Sequence, residues 1–191
     1  MKNQLVAQGC VSALAVNGDP VSELYFYADG PEGDTHAGFT RALSGHDGAY
    51  IRTSKLNRGD PVFNWRSWTG LSHEEMLEIE TGLGYIIPEG ALLENVIFSG
   101  IPDFSKLAPA TRLVFPERDV LGVPQQAILA VWEENGPCAT IGKRLEEQLG
   151  VPKLCSRFVK SALHKRGLMG FVLSPGLIMH HDSVAVYPPV T

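Results

Sequence analysis

The stretch Glu134-Asn135-Gly136-Pro137-Cys138-Ala139-Thr140-Ile141-Gly142-Lys143-Arg144 puts a thiol at a junction. A run of strand formers, Ile128 to Trp132, ends just before it, and a helical pattern begins just after. The first turn of a helix carries backbone N–H groups without intrahelical partners, and these favour an anion. A thiolate placed there is the form of cysteine that attacks sulfur or binds a soft metal. Pro137 stiffens the approach, and Lys143 and Arg144 bring positive charge a turn or two later. Cys138 is therefore the candidate catalytic residue. The position also fits a buried structural cysteine, since free cysteine is among the most buried residue types. Cys10, within a strand pattern, and Cys155, within an amphipathic helix, read as core or surface filler.

Three other segments carry polar chemistry. In Glu32 to Arg41, two glycines bracket Asp34, Thr35 and His36, and Arg41 follows. Gly-rich backbone with hydroxyl and guanidinium donors suits an anionic ligand, although a solvated loop has the same composition. Glu94 and Asn95 lie inside an apolar run and need partners or face a ligand. Lys165 and Arg166 precede a glycine and a buried-looking strand. His180 and His181 are adjacent and, in a strand, would point to opposite faces, which gives no zinc spacing.

These groups have to be positioned by short elements. Strand patterns fall at about 9–16, 21–28, 92–98, 111–115, 127–133, 169–173 and 183–187, each bounded by Gly, Pro, Asn or Asp. Three helices are predicted. Ser72 and Glu75 form a capping box ahead of Met76, Leu77, Ile79 and Leu83, and Gly82 and Gly84 end that helix. The second runs from Cys138 to the C′ glycine Gly150, and the third has Pro152 in its first turn and runs to Leu163. Strands outnumber helices without regular alternation. The expected fold class is mainly β with helical insertions, an antiparallel barrel or sandwich rather than a doubly wound sheet.

The 191 residues suit one domain, and 44% apolar residues can fill a core. A formal charge of −5 with scattered acids argues against nucleic-acid or membrane partners. Three widely spaced cysteines are not a disulfide framework, which makes reduced thiols in the cytoplasm the expectation. The N-terminal stretch has only Lys2 as a basic residue, and Gln4 and Gln8 interrupt its apolar run. It reads as a first strand ending at the Asn17-Gly18-Asp19-Pro20 turn, not as a leader or lipoprotein signal.

In order and wording these segments resemble the MOSC family, named for the C-terminal domain of molybdenum cofactor sulfurases. The carrying motifs are Gly33-Asp34-Thr35-His36-Ala37-Gly38, the serine-led helix from Leu71, Glu94-Asn95 with Gly100-Ile101, and Ala110-Thr111-Arg112-Leu113. Pro137-Cys138 follows, and then Arg166-Gly167, Ser174-Pro175-Gly176 and Asp182-Ser183-Val184. The resemblance runs from about residue 10 to 189, and a single MOSC domain over 1–191 is expected. It implies a barrel-like fold and a cysteine, here Cys138, that carries sulfur as a persulfide or ligates molybdenum. It also implies binding of the molybdenum cofactor, molybdopterin, with His36, Arg41, Asn95, Arg112 and Arg166 as candidate ligands.

A chain of this length has no room for a pyridoxal phosphate domain, so pyridoxal phosphate would enter only through a separate donor protein such as a cysteine desulfurase. A reductase of N-hydroxylated compounds would need electron-transfer partners, because no Cys-rich cluster segment is present. Two alternatives stand beside this: a cysteine-dependent hydrolase or transferase pairing Cys138 with His36 or His164, and a non-catalytic module that keeps the fold.

Overall fold

The computed structural model describes residues 4–189, apart from the side chain of His46; Lys2, weighed in the leader reading, lies outside them. β1 (Ala7–Val16) turns at Asn17 and Gly18 into β2 (Asp19–Val21), and β3 (Glu23–Tyr27) and β4 (Gly30–Pro31) follow. β5 (Thr40–Ala42) and β6 (Pro61–Phe63) form a hairpin whose connection holds a 3-10 turn at Gly45–Asp47 and α1 (Gly48–Thr53). β7 (Trp68–Ser72) feeds α2 (His73–Leu83), after which come β8 (Val96–Ser99), β9 (Arg112–Val120) and β10 (Val123–Glu134). α3 (Ala139–Leu149) and α4 (Leu154–Ser161) precede β11 (Leu168–Ser174), β12 (Gly176–Met179) and β13 (Ser183–Tyr187).

The main sheet runs β13-β9-β10-β11-β7-β8-β1, and β1 pairs back onto β13, so seven strands close into a barrel with β2 beside β1. All the pairings around the ring are antiparallel except β7 with β8. Period-two alternation fills the interior: Leu113 and Phe115 on β9, Leu129 and Val131 on β10, and Val184 and Val186 on β13 meet Trp68, Phe98 and Phe104. Each such side chain contributes about 1.5–3 kcal/mol through burial. A second core lies among the helices, where Ile79 and Leu83 of α2 pack with Leu145 of α3 and Leu154 and Phe158 of α4. A third, small one under the β5–β6 hairpin joins Leu43, Val62 and Trp65.

Several local expectations are corrected. The strand predicted from residue 92 begins only at Val96, because Leu93 adopts φ 58° and turns the chain before the sheet. Ser72 caps α2 and accepts the Glu75 amide at 3.3 Å, but the capping box is half formed. The Glu75 carboxylate instead accepts the Ser105 amide at 3.0 Å and hydroxyl at 2.7 Å. Pro152 precedes α4 rather than opening it, since Lys153 caps the helix with φ 64°. His180 and His181 do not diverge: they lie between β12 and β13, His181 has φ 70°, and their rings stack with centroids 3.7 Å apart. Strand alternation does not apply in a turn. Among the described residues no helix is long and apolar enough to cross a membrane.

Candidate functional site

Cys138 is the N-cap of α3, with φ −125° and ψ 158°; its carbonyl accepts the Gly142 amide at 3.1 Å while its side chain makes no capping bond. The side chain packs at the edge of the helical core. Cys138 is half-buried and lines a cleft of about 510 Å³ together with Glu133, Asn135, Pro137, Arg66 and Met169. A smaller cavity of about 200 Å³ shares Arg66, Asn135 and Met169 with that cleft, and its walls include His36, Asn95 and Arg166. The two hollows are neighbours around the loops at one end of β7, β8, β10 and β11.

Arg166 is driven inward by the backbone. Gly167 has φ 84°, and a Cβ there would lie 1.9 Å from the Gly70 carbonyl oxygen, so only glycine lets this turn press onto β7. The Arg166 side chain is 3% exposed. Its Nη2 donates to the Leu92 carbonyl, and its Nη1 is buried with no hydrogen-bond partner. Glu94, 2% exposed, accepts the Gly90 amide through Oε1 at 2.9 Å, while its Oε2 has no partner. Burial pulls the guanidinium of Arg166 below its ordinary pKa, and the charges of Glu94 and Cys138 oppose it. Burial likewise raises the Glu94 carboxyl, against hydrogen bonds and the attraction of Arg166. A buried cation with an unused N–H in a cavity wall is costly unless an acceptor meets it.

Asn95 anchors the opposite wall. Its Oδ1 accepts the Thr69 amide at 2.9 Å, and its Nδ2 donates to Asp34 Oδ2 at 2.7 Å. Asp34 Oδ1 accepts the His36 amide at 2.7 Å and lies 3.2 Å from His36 Nδ1. Burial raises the Asp34 carboxyl, yet the His36 and Asn95 hydrogen bonds outweigh it and the net shift is downward. The bond to Asp34 raises the His36 imidazole, with burial opposing. A proton on Nδ1 facing Asp34 leaves Nε2 of this exposed ring as the free nitrogen.

The other two predicted arginines are not in these walls. Arg41 forms a two-pronged pair with Asp47, Nη1 to Oδ2 at 2.9 Å and Nη2 to Oδ1 at 2.7 Å, and lies 4.6 Å over the Trp65 ring. Asp47 also meets Arg66 Nη2 at 3.1 Å, and Arg66 Nε reaches Glu133 at 2.6 Å. Arg41 thus acts at one remove, by holding the carboxylate that holds Arg66. Arg112 is absent from both hollows. Leu113 and Phe115 point into the barrel, so alternation turns Arg112 away from it; its guanidinium lies 5.7 Å over the Tyr187 ring, with Nε and Nη2 buried and without hydrogen-bond partners, away from Cys138 and Arg166. Arg66, Asn135 and Glu133 were missed as candidates. No signal in the sequence marks Arg66, because Asp47 and Glu133 reach it only in the fold.

Among the described residues no hydrogen bond joins the Cys138 sulfur to a histidine. His36 is held by Asp34, and His164 pairs with Glu134 at 3.1 Å. No group of three or more His, Cys, Asp or Glu side chains among the described residues is placed to hold a metal ion. What this arrangement offers is one thiol beside a cavity whose walls hold two arginines, Arg66 and Arg166.

Comparison with known proteins shows the family and the fold. The MOSC domain profile matches residues 66–185. YuaD of Bacillus subtilis (strain 168), provisionally assigned to metal-sulfur cluster biosynthesis, is 34% identical over 170 residues, covering 87% of this chain and 81% of YuaD. The crystal structure of the YuaD protein superimposes with a TM-score of 0.83 at 29% identity, over 96% of this chain and 97% of that one. YiiM from Escherichia coli shares the fold at a TM-score of 0.56 and 15% identity, over 95% of this chain and 71% of YiiM.

Proposed function

Because the chain belongs to the MOSC domain family, we propose that it binds the molybdenum cofactor in the cavity beside Cys138 and carries sulfur as a persulfide on that thiol. The observation that supports this most is Arg166: a guanidinium 3% exposed, with Nη1 unpartnered, in a cavity that shares three residues with the cysteine cleft. A phosphate-bearing, anionic ligand supplies the acceptor this atom lacks. Arg166 and Asn95 would hold the cofactor's anionic and polar edges, His36 would offer Nε2 at the rim, and Cys138 would be the sulfur nearest to it. When bound, the cofactor supplies a metal centre that exchanges sulfur or oxygen ligands.

The sulfur-loading step involves this chain alone and a donor. The Cys138 thiolate attacks the outer sulfur of a donor persulfide, such as that of a cysteine desulfurase; the donor S–S bond breaks and the donor leaves as a thiolate. Cys138 then holds one extra sulfur atom. The provisional assignment of YuaD to metal-sulfur cluster biosynthesis favours this carrier role over direct reduction of N-hydroxylated compounds, which would require electron-transfer partners. A cytoplasmic setting, which keeps thiols reduced, suits it. A Cys138–histidine hydrolase has less support, given the absent contact.

The test is metal and pterin analysis of the chain purified from a host that makes the cofactor, beside Cys138→Ala and Arg166→Met. Molybdenum and pterin should accompany the wild type and be lost from Arg166→Met. Their absence from all three proteins would overturn cofactor binding.

A further inference from the structure

Cys155 is the second cysteine of this region. Its sulfur donates to the Ala139 carbonyl at 3.4 Å, and Ala139 is the residue next to Cys138. The two helices meet there without an intervening side chain: a Cβ on Gly142 would lie 2.8 Å from the Cys155 sulfur and 2.9 Å from its Cα. Gly142 in turn donates its amide to the Cys138 carbonyl at 3.1 Å. That bond joins Cys138 to Gly142 across the first turn of α3, so Cys155 lies beside the turn that Cys138 opens. The Cys138 side chain has no capping bond to hold it, and the Cys155 amide is tied to Glu146 at 3.0 Å, which fixes the start of α4 against α3. All three cysteines are free thiols, and Cys10 is engaged elsewhere, with Ser99 at 3.0 Å.

We propose that Cys155 is a resolving thiol for Cys138: when a persulfide on Cys138 meets no acceptor, Cys155 displaces its outer sulfur and closes a Cys138–Cys155 disulfide. This rests on the carrier reading. The Cys155 thiolate attacks the Cys138 Sγ, the Sγ–S bond of the persulfide breaks, and the sulfane sulfur leaves with the bonding pair as hydrosulfide. The proton given up by Cys155 goes to solvent. The sulfane sulfur is reduced and the two cysteines are oxidised, so no outside oxidant is needed. Any thiol reductant of the cytoplasm restores the pair. Gly142 has a reason in this arrangement, because any larger residue would wedge α4 away from the thiol it serves.

The experiment loads the full reduced chain with inorganic polysulfide, removes the excess, and follows intact mass, released hydrosulfide and Cys-containing peptides over time. It compares wild type with Cys155→Ser, Cys155→Ala and Cys10→Ser. In wild type and Cys10→Ser the added sulfur should leave as hydrosulfide while a linked Cys138–Cys155 peptide accumulates. In both Cys155 variants the persulfide should persist on Cys138 roughly tenfold longer or more, since only the intramolecular thiol has a high effective concentration. Equal persulfide lifetimes in all proteins, with no linked peptide, would overturn the resolving role and leave the carrier reading standing. No added sulfur on Cys138 even in the Cys155 variants would overturn the carrier reading and the resolving role with it.

Discussion

Two hollows on this molecule differ in a way that says more than their size. The larger, about 520 Å³, lies between α2 and the segment around Asp103 and is lined by Glu74, Glu75, Glu78, Lys106 and Lys165. Its charges are already answered. Glu74 accepts the Ser72 hydroxyl and the Gly100 amide, Glu75 takes both Ser105 donors, Lys106 pairs with Asp103, and Lys165 pairs with Glu78. The smaller cavity, about 200 Å³, holds a buried arginine with an unused donor and adjoins a thiol with no fixed partner. Satisfied charge makes a surface depression, whereas unsatisfied buried charge asks for a ligand.

The largest expected effect breaks the second region. Arg166→Met removes the cavity cation and leaves Glu94 buried alone, which should cost about 3–5 kcal/mol in urea unfolding. Adding Glu94→Gln should restore most of that stability but none of the ligand binding. Restored binding in the double variant would mean that Arg166 serves only to neutralise Glu94. Next comes the support of Arg66. Asp47→Asn cuts the tie between Arg41 and Arg66, and because Asp47 is 3% exposed the change should lower stability by about 3 kcal/mol.

The same tie has a pH signature. The Arg41 hydrogen bonds hold the Asp47 carboxyl well below the usual carboxylate value of 3.8, against burial. A lowered folded-state value means that its contribution is fully present above 3.8 and fades as pH falls through the folded value. His36 has the opposite sign. Its value is raised above 6.5 by Asp34, so its contribution is present below 6.5 and fades as pH rises through the raised value. Urea midpoints across pH should fall on the acid side in wild type and flatten in Asp47→Asn; an unchanged acid limb would remove Asp47 as its source. The smallest effect belongs to the larger hollow. Lys165→Ala breaks an exposed pair with Glu78 and should change stability by about 0.5 kcal/mol or less, without altering Cys138 reactivity. A tenfold change in that reactivity would make the larger hollow part of the site.

The fold was legible in the sequence where period and punctuation agreed. Ser72 with Gly84, and Cys138 with Gly150, bracket α2 and α3, because caps and left-handed glycines act locally. β7 and the β5–β6 hairpin were missed. Trp68 to Ser72 has little alternation, being covered from both sides, and short hairpin strands carry too few residues to show a period. Within the site, Asn95 stood out as a polar group inside an apolar run, and Arg166 as a cation just before a glycine and a buried-looking strand. Arg112 was a candidate only through the family resemblance and faces the other way, since one residue of register decides which side of a strand a group occupies. Arg66 could not be weighed from sequence, as its partners Asp47 and Glu133 are brought to it only by folding.

The central claim is that Cys138 and the Arg166 cavity form one ligand site. Its most direct test is the rate of Cys138 alkylation by limiting iodoacetamide at neutral pH, read by peptide mass with and without added molybdenum cofactor. Cys138 should be labelled ahead of Cys10 and Cys155, and the cofactor should slow its labelling about tenfold or more while leaving the other two unchanged. Labelling of Cys10 or Cys155 first, or a Cys138 rate indifferent to the cofactor, would contradict the account.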